Sequence, residues 1–144
     1  MNIDSVVGYT GPRTGMESAQ LTTVAAILIE WGPTEVHHGI CVGGDEQFHK
    51  LVRSLFGRDI VIVGHPCNMP DQQAEQLYRD CDVLEPVLPP LTRNANIVLR
   101  GGRFIATPNG YTQRLRSGTW STIRAIERAR KMVCKVWPDG TATL

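Results

Sequence analysis

Apolar residues are grouped along this chain in short segments that are separated by glycine, proline and polar residues. Runs of about four to eight residues that are rich in Val, Ile and other strand formers predict β-strands. The predicted strands are residues 5–10, 35–42, 59–64, 82–88, 103–107 and 133–137. Residues 59–64 are apolar almost throughout, which is typical of a strand that is buried on both faces of a parallel sheet.

The segments between these strands have helical spacing. Apolar residues at intervals of three and four predict a helix over Ser18–Trp31, and Asp45 is predicted as the N-cap of the next helix. Further helices are predicted over residues 71–79, 91–98 and 118–132. Strands that alternate with helices predict an α/β sandwich with a mainly parallel sheet, formed by a single domain over residues 1–144.

Three predicted strand-to-helix loops contain glycine, namely residues 10–15, 42–45 and 108–119. Because the carboxyl ends of parallel strands meet at one edge of a sheet, we expect these loops to form a common ligand site. The candidate ligand-binding residues in the loops are Thr10, Gly11, Arg13, Gly43, Gly44, Asp45, Pro108, Arg116, Ser117, Gly118 and Thr119.

The third loop has the composition of an anion site. Its last residues, Ser117, Gly118 and Thr119, are predicted to begin a helix, whose first N–H groups lack intrahelical acceptors and whose dipole favours negative charge. Arg114 and Arg116 add charge-assisted donors, so the sequence predicts a bound phosphate here. The motifs of P-loop ATPases, of dinucleotide-binding dehydrogenases and of the acyl-transfer nucleophile elbow are missing, which disfavours those three activities.

Composition and net charge limit the kinds of partner that the protein is expected to bind. Hydrophobic content of 42% with 20% charged residues is typical of a soluble globular protein. The net charge of +1 disfavours nucleic acid and anionic membranes as partners. The lack of a leader-like N-terminus and of a C-x-x-C pair favours a cytoplasmic protein with reduced thiols. The adjacent His37 and His38 would point to opposite faces of a strand, so neither a metal site nor a cofactor is predicted.

Four motifs occur in a recognisable order along the chain. Gly-Tyr-Thr-Gly-Pro-Arg lies at the first strand, Gly-Gly-Asp follows the second, Thr-Arg-Asn-Ala-Asn-Ile-Val precedes the fifth, and Arg-Ser-Gly-Thr-Trp-Ser-Thr-Ile begins the last helix. In this order they resemble the SLOG superfamily, which includes the Lonely-Guy-type phosphoribohydrolases and the Rossmann-like core of the DNA-processing protein A family. The resemblance covers nearly the whole chain. It implies a Rossmann-like three-layer sandwich in which Arg93, Asn94, Gly118 and Thr119 contact the phosphate or ribose of a nucleotide-type ligand.

The chain departs from the phosphoribohydrolase branch at one position. That branch has a glutamate three residues after the threonine of its Gly-Thr pair, and Thr122 stands there in this sequence. A threonine cannot supply the negative charge that assists cleavage of an N-glycosidic bond. Asp45 and Glu46 are the leading candidates for a displaced catalytic carboxylate, and Glu17 is a third.

The sequence therefore favours binding without turnover. The expected ligand is a nucleotide or a nucleotide-derived signal, such as an ADP-ribose-like or cyclic molecule, held by a sensor or sequestering protein. The resemblance also implies a homo-oligomer. The first alternative is a nucleoside 5'-monophosphate N-glycosidase, and the second is a DNA-associated processing factor, which the near-neutral charge disfavours.

Three aromatic residues lie close to the predicted site. Trp120, just inside the last helix, could stack on a base, but its core-facing spacing favours a buried position. Tyr9 and Tyr111 are predicted either to stack on a base or to anchor the loops that hold them.

Overall fold

The computed structural model of the chain describes residues 2–144. The strands are β1 (Val6–Thr10), β2 (Glu35–His38), β3 (Val61–Gly64), β4 (Val83–Leu84), β5 (Arg103–Ala106), β6 (Met132–Val136) and β7 (Ala142–Thr143). The α-helices are α1 (Ser18–Trp31), α2 (Gly44–Phe56), α3 (Pro90–Arg100) and α4 (Gly118–Arg128). Short 3-10 helices lie over Ile3–Ser5, Pro70–Gln72 and Glu75–Asp80.

The seven strands form one sheet in the order β4-β3-β2-β1-β5-β6-β7. Neighbouring strands run parallel except for β6 and β7, which pair antiparallel. Helices α1 and α2 contact each other, and α3 and α4 form a second contacting pair against the sheet. The predicted α/β fold with a mainly parallel sheet is confirmed, and it is a Rossmann-like three-layer sandwich.

The core is divided between the two faces of the sheet. One cluster buries side chains of α1 and α2 against the sheet, among them Val24, Leu28, Phe48, Val52, Val7, Val36 and Ile105. The other buries side chains of α3 and α4, among them Ile97, Trp120, Ile123, Ile126, Phe104 and Val133. Successive residues such as Phe104 and Ile105 enter different clusters, as expected of a strand that is covered on both faces. Trp120 is buried in the second cluster, as predicted.

Two predicted elements end early, and in both cases the backbone takes a left-handed conformation. The strand predicted over residues 35–42 ends at His38, because Ile40 has a φ of 58° and turns the chain out of the sheet. The helix predicted over residues 118–132 ends at Arg128, because Arg130 has a φ of 58° as well.

Three further differences occur in the less regular parts of the chain. The polar helix predicted over residues 71–79 is replaced by the two 3-10 helices Pro70–Gln72 and Glu75–Asp80. The edge strand predicted over residues 82–88 is reduced to β4, and Pro86, which follows it, cannot donate a ladder hydrogen bond. Strand β7 was not predicted; it forms because the turn over residues 138–140 folds the chain back on β6.

The strand order places a reversal beside β1. The chain moves outward from β1 to β4 in one direction and then crosses to β5 on the other side of β1. Open parallel sheets bind ligands in the crevice that such a reversal creates beyond the carboxyl ends of the strands. No helix among residues 2–144 combines the length and the apolar character that crossing a membrane requires.

Candidate functional site

A cleft of about 600 Å³ opens at this reversal, which is within the range of about 300–1,000 Å³ that is usual for small-molecule sites. It is bordered by the β1–α1 loop, the bend after β2, the first turns of α3 and α4, and the loop that precedes α4. The predicted site residues that line it are Thr10, Gly11, Arg13, Asp45, Arg93, Asn94, Arg116, Ser117, Gly118 and Thr119. Most of the predicted residues are therefore brought together.

Tyr9 and Thr107 join the two central strands beneath the cleft. The Tyr9 hydroxyl lies 2.6 Å from Thr107 Oγ1, and its ring stacks on Phe48 with the centroids 4.5 Å apart. Burial raises the pKa of Tyr9, so the phenol is neutral. Tyr9 thus anchors the cleft from within β1, and its ring is not free to stack on a base.

The start of α4 forms one end of the cleft. Ser117 is the N-cap, and its Oγ accepts a hydrogen bond from the Trp120 N–H at 3.2 Å. The N–H groups of Gly118 and Thr119 lie in the first turn, where a helix provides no acceptor. Thr119 is only 5% exposed, and its hydroxyl forms no hydrogen bond with any residue of the described chain. This end of the cleft therefore offers unused donors.

Two arginines of the preceding loop add positive charge at the same end. Arg114 and Arg116 are exposed and line the cleft. Arg124 of α4 holds this loop in place, because its guanidinium donates to Gln113 Oε1 at 3.0 Å and to the Leu115 carbonyl at 3.2 Å. The loop that carries these two arginines is therefore tied to α4, the helix whose dipole also attracts anions.

Asp45 is not the N-cap that the sequence suggests. Gly43 occupies that position, and Asp45 lies in the first turn of α2, where its Oδ2 accepts from the N–H groups of Gly39 at 3.1 Å and Cys41 at 3.0 Å. The side chain is 6% exposed and faces the cleft. Burial raises the pKa of Asp45, while the Arg93 charge and the donors of Cys41 and Gly39 offset part of that rise.

The bend that supplies these donors is strained. Ile40, between Gly39 and Cys41, is a β-branched residue with a φ of 58°, a conformation that its side chain disfavours. Its N–H donates to His38 Nδ1 at 3.0 Å, and its carbonyl accepts from the Ala74 N–H at 2.8 Å. These two hydrogen bonds hold the bend, and the bend in turn aims two N–H groups at the Asp45 carboxylate.

Arg93 also holds this bend. It is 5% exposed, and its Nη1 donates to the carbonyls of Gly39 at 2.8 Å and His65 at 3.1 Å. Its Nε donates to Asn94 Oδ1 at 2.8 Å. Arg93 and Asn94 both line the cleft, as predicted, but most donors of the guanidinium are used within the protein. Arg93 thus contributes positive charge and loop position, and little capacity for direct donation to a ligand.

A buried group of three potential metal ligands lies behind the bend. Ring nitrogens of His38 and His49 and the Cys81 sulfur are within 4.8 Å of one another. His49 Nε2 lies 2.6 Å from Asp80 Oδ2, so it donates to this carboxylate, and its Nδ1 then accepts from His38 Nε2 at 2.9 Å. His38 Nδ1 accepts from Ile40. Both ring nitrogens of each imidazole take part in hydrogen bonds, so a bound cation would have to break this chain.

A similar chain lies on the other face of the sheet. His37 Nε2 lies 2.6 Å from Glu35 Oε2, and His37 Nδ1 lies 2.7 Å from His65 Nε2. Burial lowers the pKa of His65 to about 3 and that of His38 well below the ordinary range, and neighbouring imidazoles and arginines add to both effects. His37 and His38 have separate sets of hydrogen-bond partners, as expected of side chains that point to opposite faces of a strand.

Two predicted glycines lie behind the cleft instead of lining it. Gly43 has a φ of 86°, and a Cβ there would collide with the Arg13 carbonyl, so only glycine suits this position. The Gly44 N–H donates to the Pro12 carbonyl at 2.9 Å. Both glycines therefore support the β1–α1 loop from below.

Two other predicted residues also lie outside the lining. The Pro108 carbonyl accepts from Gln20 Nε2 at 2.8 Å, which ties the end of β5 to α1. Glu46 points away from the cleft, since its carboxylate accepts from Gln76 at 2.7 Å and from Lys50 at 3.2 Å. Glu46 is therefore not placed to act on a ligand in the cleft, and Asp45 is the predicted carboxylate that is.

Several lining residues were missed as site candidates. Gly39 and Cys41 enter the cleft through the Ile40 bend, which no local sequence signal indicates. Leu91 and Ile97 of α3 supply an apolar wall, and both lie three residues from Asn94, a helical spacing that would have suggested them. Tyr111 does not line the cleft; its ring stacks on Trp137 with the centroids 6.1 Å apart, so it anchors the loop.

The chain was compared with known proteins at the levels of family, sequence and structure. No family model, no curated protein and no solved structure matches it. What the cleft does must therefore be argued from its own residues.

Proposed function

We propose that the cleft binds a nucleotide or a nucleotide-derived ligand, with a phosphate group at the start of α4. The observation that carries the proposal is the Thr119 side chain, which is only 5% exposed at the cleft. Its hydroxyl has no hydrogen-bond partner among residues 2–144 and lies at the first turn of the helix. Unused donors at a helix start, with Arg114 and Arg116 beside them, are the usual elements of a phosphate site. The resemblance to the SLOG superfamily supports the same assignment.

The proposal is binding without turnover, as in a sensor or a sequestering protein. Thr122 lines the cleft at the position of the family glutamate, and its hydroxyl donates to the Gly118 carbonyl at 3.0 Å. This residue offers no carboxylate for cleavage of an N-glycosidic bond. Asp45 is the carboxylate that would serve the N-glycosidase alternative, so free base released from a nucleoside monophosphate would favour that alternative over binding alone.

Isothermal titration with AMP and with ADP-ribose tests the proposal. We expect saturable binding of at least one of them, and we expect Thr119→Val to weaken it about 10-fold or more, because a hydrogen bond to a charged phosphate is lost without a change in shape. Thr22→Val is the matched control, since Thr22 is exposed on α1 and its hydroxyl donates to the Ser18 carbonyl. Equal affinities of wild type and Thr119→Val would contradict the assignment of the phosphate to α4.

A further inference from the structure

The two oxygens of the Asp45 carboxylate have different surroundings. Oδ2 accepts from the Gly39 and Cys41 N–H groups, while Oδ1 receives no backbone or nitrogen donor from the part of the chain that the structure describes. The weakly donating Cys41 thiol lies beside the carboxyl. Among residues 2–144 no fully enclosed side-chain nitrogen or oxygen lacks a partner, so Oδ1 retains its access to the cleft. A carboxylate that is 94% buried thus presents one free acceptor to whatever occupies the cleft.

A free, buried acceptor requires a donor from the ligand. An ionised oxygen that is removed from water without a hydrogen-bond partner is costly, and the nearby Arg93 directs its Nη1 and Nε elsewhere. A ligand that brings a hydroxyl to Oδ1 restores the lost hydration. A ligand that fills the same space without a donor leaves the carboxylate unsatisfied. The site is therefore built to discriminate between these two ligands.

The charges along the cleft orient the ligand. Arg114, Arg116 and the start of α4 attract a phosphate, whereas the negative charge of Asp45 repels it, and the nearby Arg93 offsets only part of the Asp45 charge. Leu91 and Ile97 of α3 are apolar side chains of the lining, against which the base of a nucleotide can pack. The part of a nucleotide that is neutral and carries hydroxyl donors is its ribose, whose 2'- and 3'-hydroxyls lie on the ring away from the 5'-phosphate.

From this arrangement, and resting on the proposed function, we infer that Asp45 is a specificity residue. Its Oδ1 accepts a hydrogen bond from a ribose hydroxyl, so that the cleft selects ribonucleotides over nucleotides whose sugar lacks hydroxyls. The Ile40 bend is the device that holds the carboxylate, because the Gly39 and Cys41 N–H groups fix Oδ2 and thereby turn Oδ1 to the ligand.

The test compares the four common ribonucleoside 5'-monophosphates with their 2',3'-dideoxy counterparts by isothermal titration. We expect the wild type to bind the better ribonucleotides about 10- to 100-fold more tightly than the matched dideoxy forms. In Asp45→Asn, the Gly39 and Cys41 donors hold the amide oxygen at the Oδ2 position, which puts an NH2 group in place of the Oδ1 acceptor. This variant should lose at least about 10-fold in ribonucleotide affinity and change its dideoxynucleotide affinity little.

Glu46→Gln is the matched control, because it neutralises the adjacent carboxylate, which points away from the cleft. Its ribonucleotide preference should equal that of the wild type. Equal binding of the ribose and dideoxy forms by the wild type would overturn the inference and leave the phosphate site intact. A wild type that binds none of the eight compounds would overturn the inference, and failure of ADP-ribose to bind as well would overturn the proposed function with it. The comparison of ribose and dideoxy forms on the wild type requires no variant, so it tests the inference even if Asp45→Asn folds poorly.

Discussion

At the scale of single residues, Asp45 combines a cost in stability with its proposed role in binding. Its carboxylate is held in a buried position by two backbone donors, yet burial still raises its pKa. A raised pKa means that the folded chain disfavours the charged form relative to the unfolded chain. Residues that serve a ligand commonly reduce the stability of the free protein in this way.

Replacing Asp45 with Asn should therefore stabilise the free protein at neutral pH by about 1 kcal/mol while it weakens ribonucleotide binding. The folded chain holds the Asp45 proton more tightly than the unfolded chain. The stability cost of the carboxylate thus appears as pH rises above its unfolded pKa of about 3.9. Urea unfolding at pH 7 and at pH 3 measures the effect, which should be present at pH 7 and vanish at pH 3. A less stable variant at pH 7 would show that the ionised carboxylate supports the fold.

At the scale of elements, the bend after β2 depends on a chain of side chains that reaches the surface. Ile40 is held by His38, which donates to His49, which donates to Asp80 at the end of a 3-10 helix. Partial burial of Asp80 would raise its pKa, but hydrogen bonds from His49 and Arg53 and the charges of the neighbouring arginines lower the pKa to about 2. The cleft wall is thus supported by an ionised carboxylate outside it.

Asp80→Asn should lower the free energy of unfolding at pH 7 by about 1–2 kcal/mol, because His49, Arg53 and Arg58 lose a charged acceptor. The Asp80 contribution in the wild type is present above the unfolded pKa of about 3.9 and is lost as pH falls toward about 2. Urea midpoints between pH 5 and pH 2 should therefore fall less steeply for the variant. Asp59→Asn, at an exposed position, is the control. Parallel pH profiles for wild type and Asp80→Asn would contradict this account of the chain.

The start of α4 and the bend after β2 show which parts of the structure the sequence predicts and which it does not. The apolar periods predict the strands and helices, and the start of α4 is predictable because its cap, glycine and hydroxyls are local signals. The Ile40 bend is not, since a β-branched residue argues against a left-handed backbone. The bend is held by the His38 side chain and by Ala74, which is distant in the sequence. Asp45 shows the same limit: local rules favour an N-cap, and the donors that capture it instead exist only after the bend has formed.

At the scale of the whole molecule, the strand order determines where the candidate site residues come together. Because β1 lies between β2 and β5, loops that are distant in sequence meet around one cleft. Unused donors and the exposed Arg114 and Arg116 lie at its α4 end, and the Asp45 acceptor lies in the wall formed by α2 and the bend after β2. A ligand with a phosphate at one end and hydroxyl donors beyond it matches this distribution.

The central claim, a phosphate at the start of α4, is tested most directly by NMR titration of the 15N-labelled protein with AMP. We predict saturable shifts that are largest for the backbone amides of Gly118 and Thr119, with smaller ones at Gly11, which also lines the cleft. Inorganic phosphate should move the α4 amides in the same direction and leave the cleft wall at Gly39 and Cys41 unchanged. The account would be contradicted if saturable AMP binding left the Gly118 and Thr119 amides unmoved, or if neither AMP nor ADP-ribose caused a saturable shift.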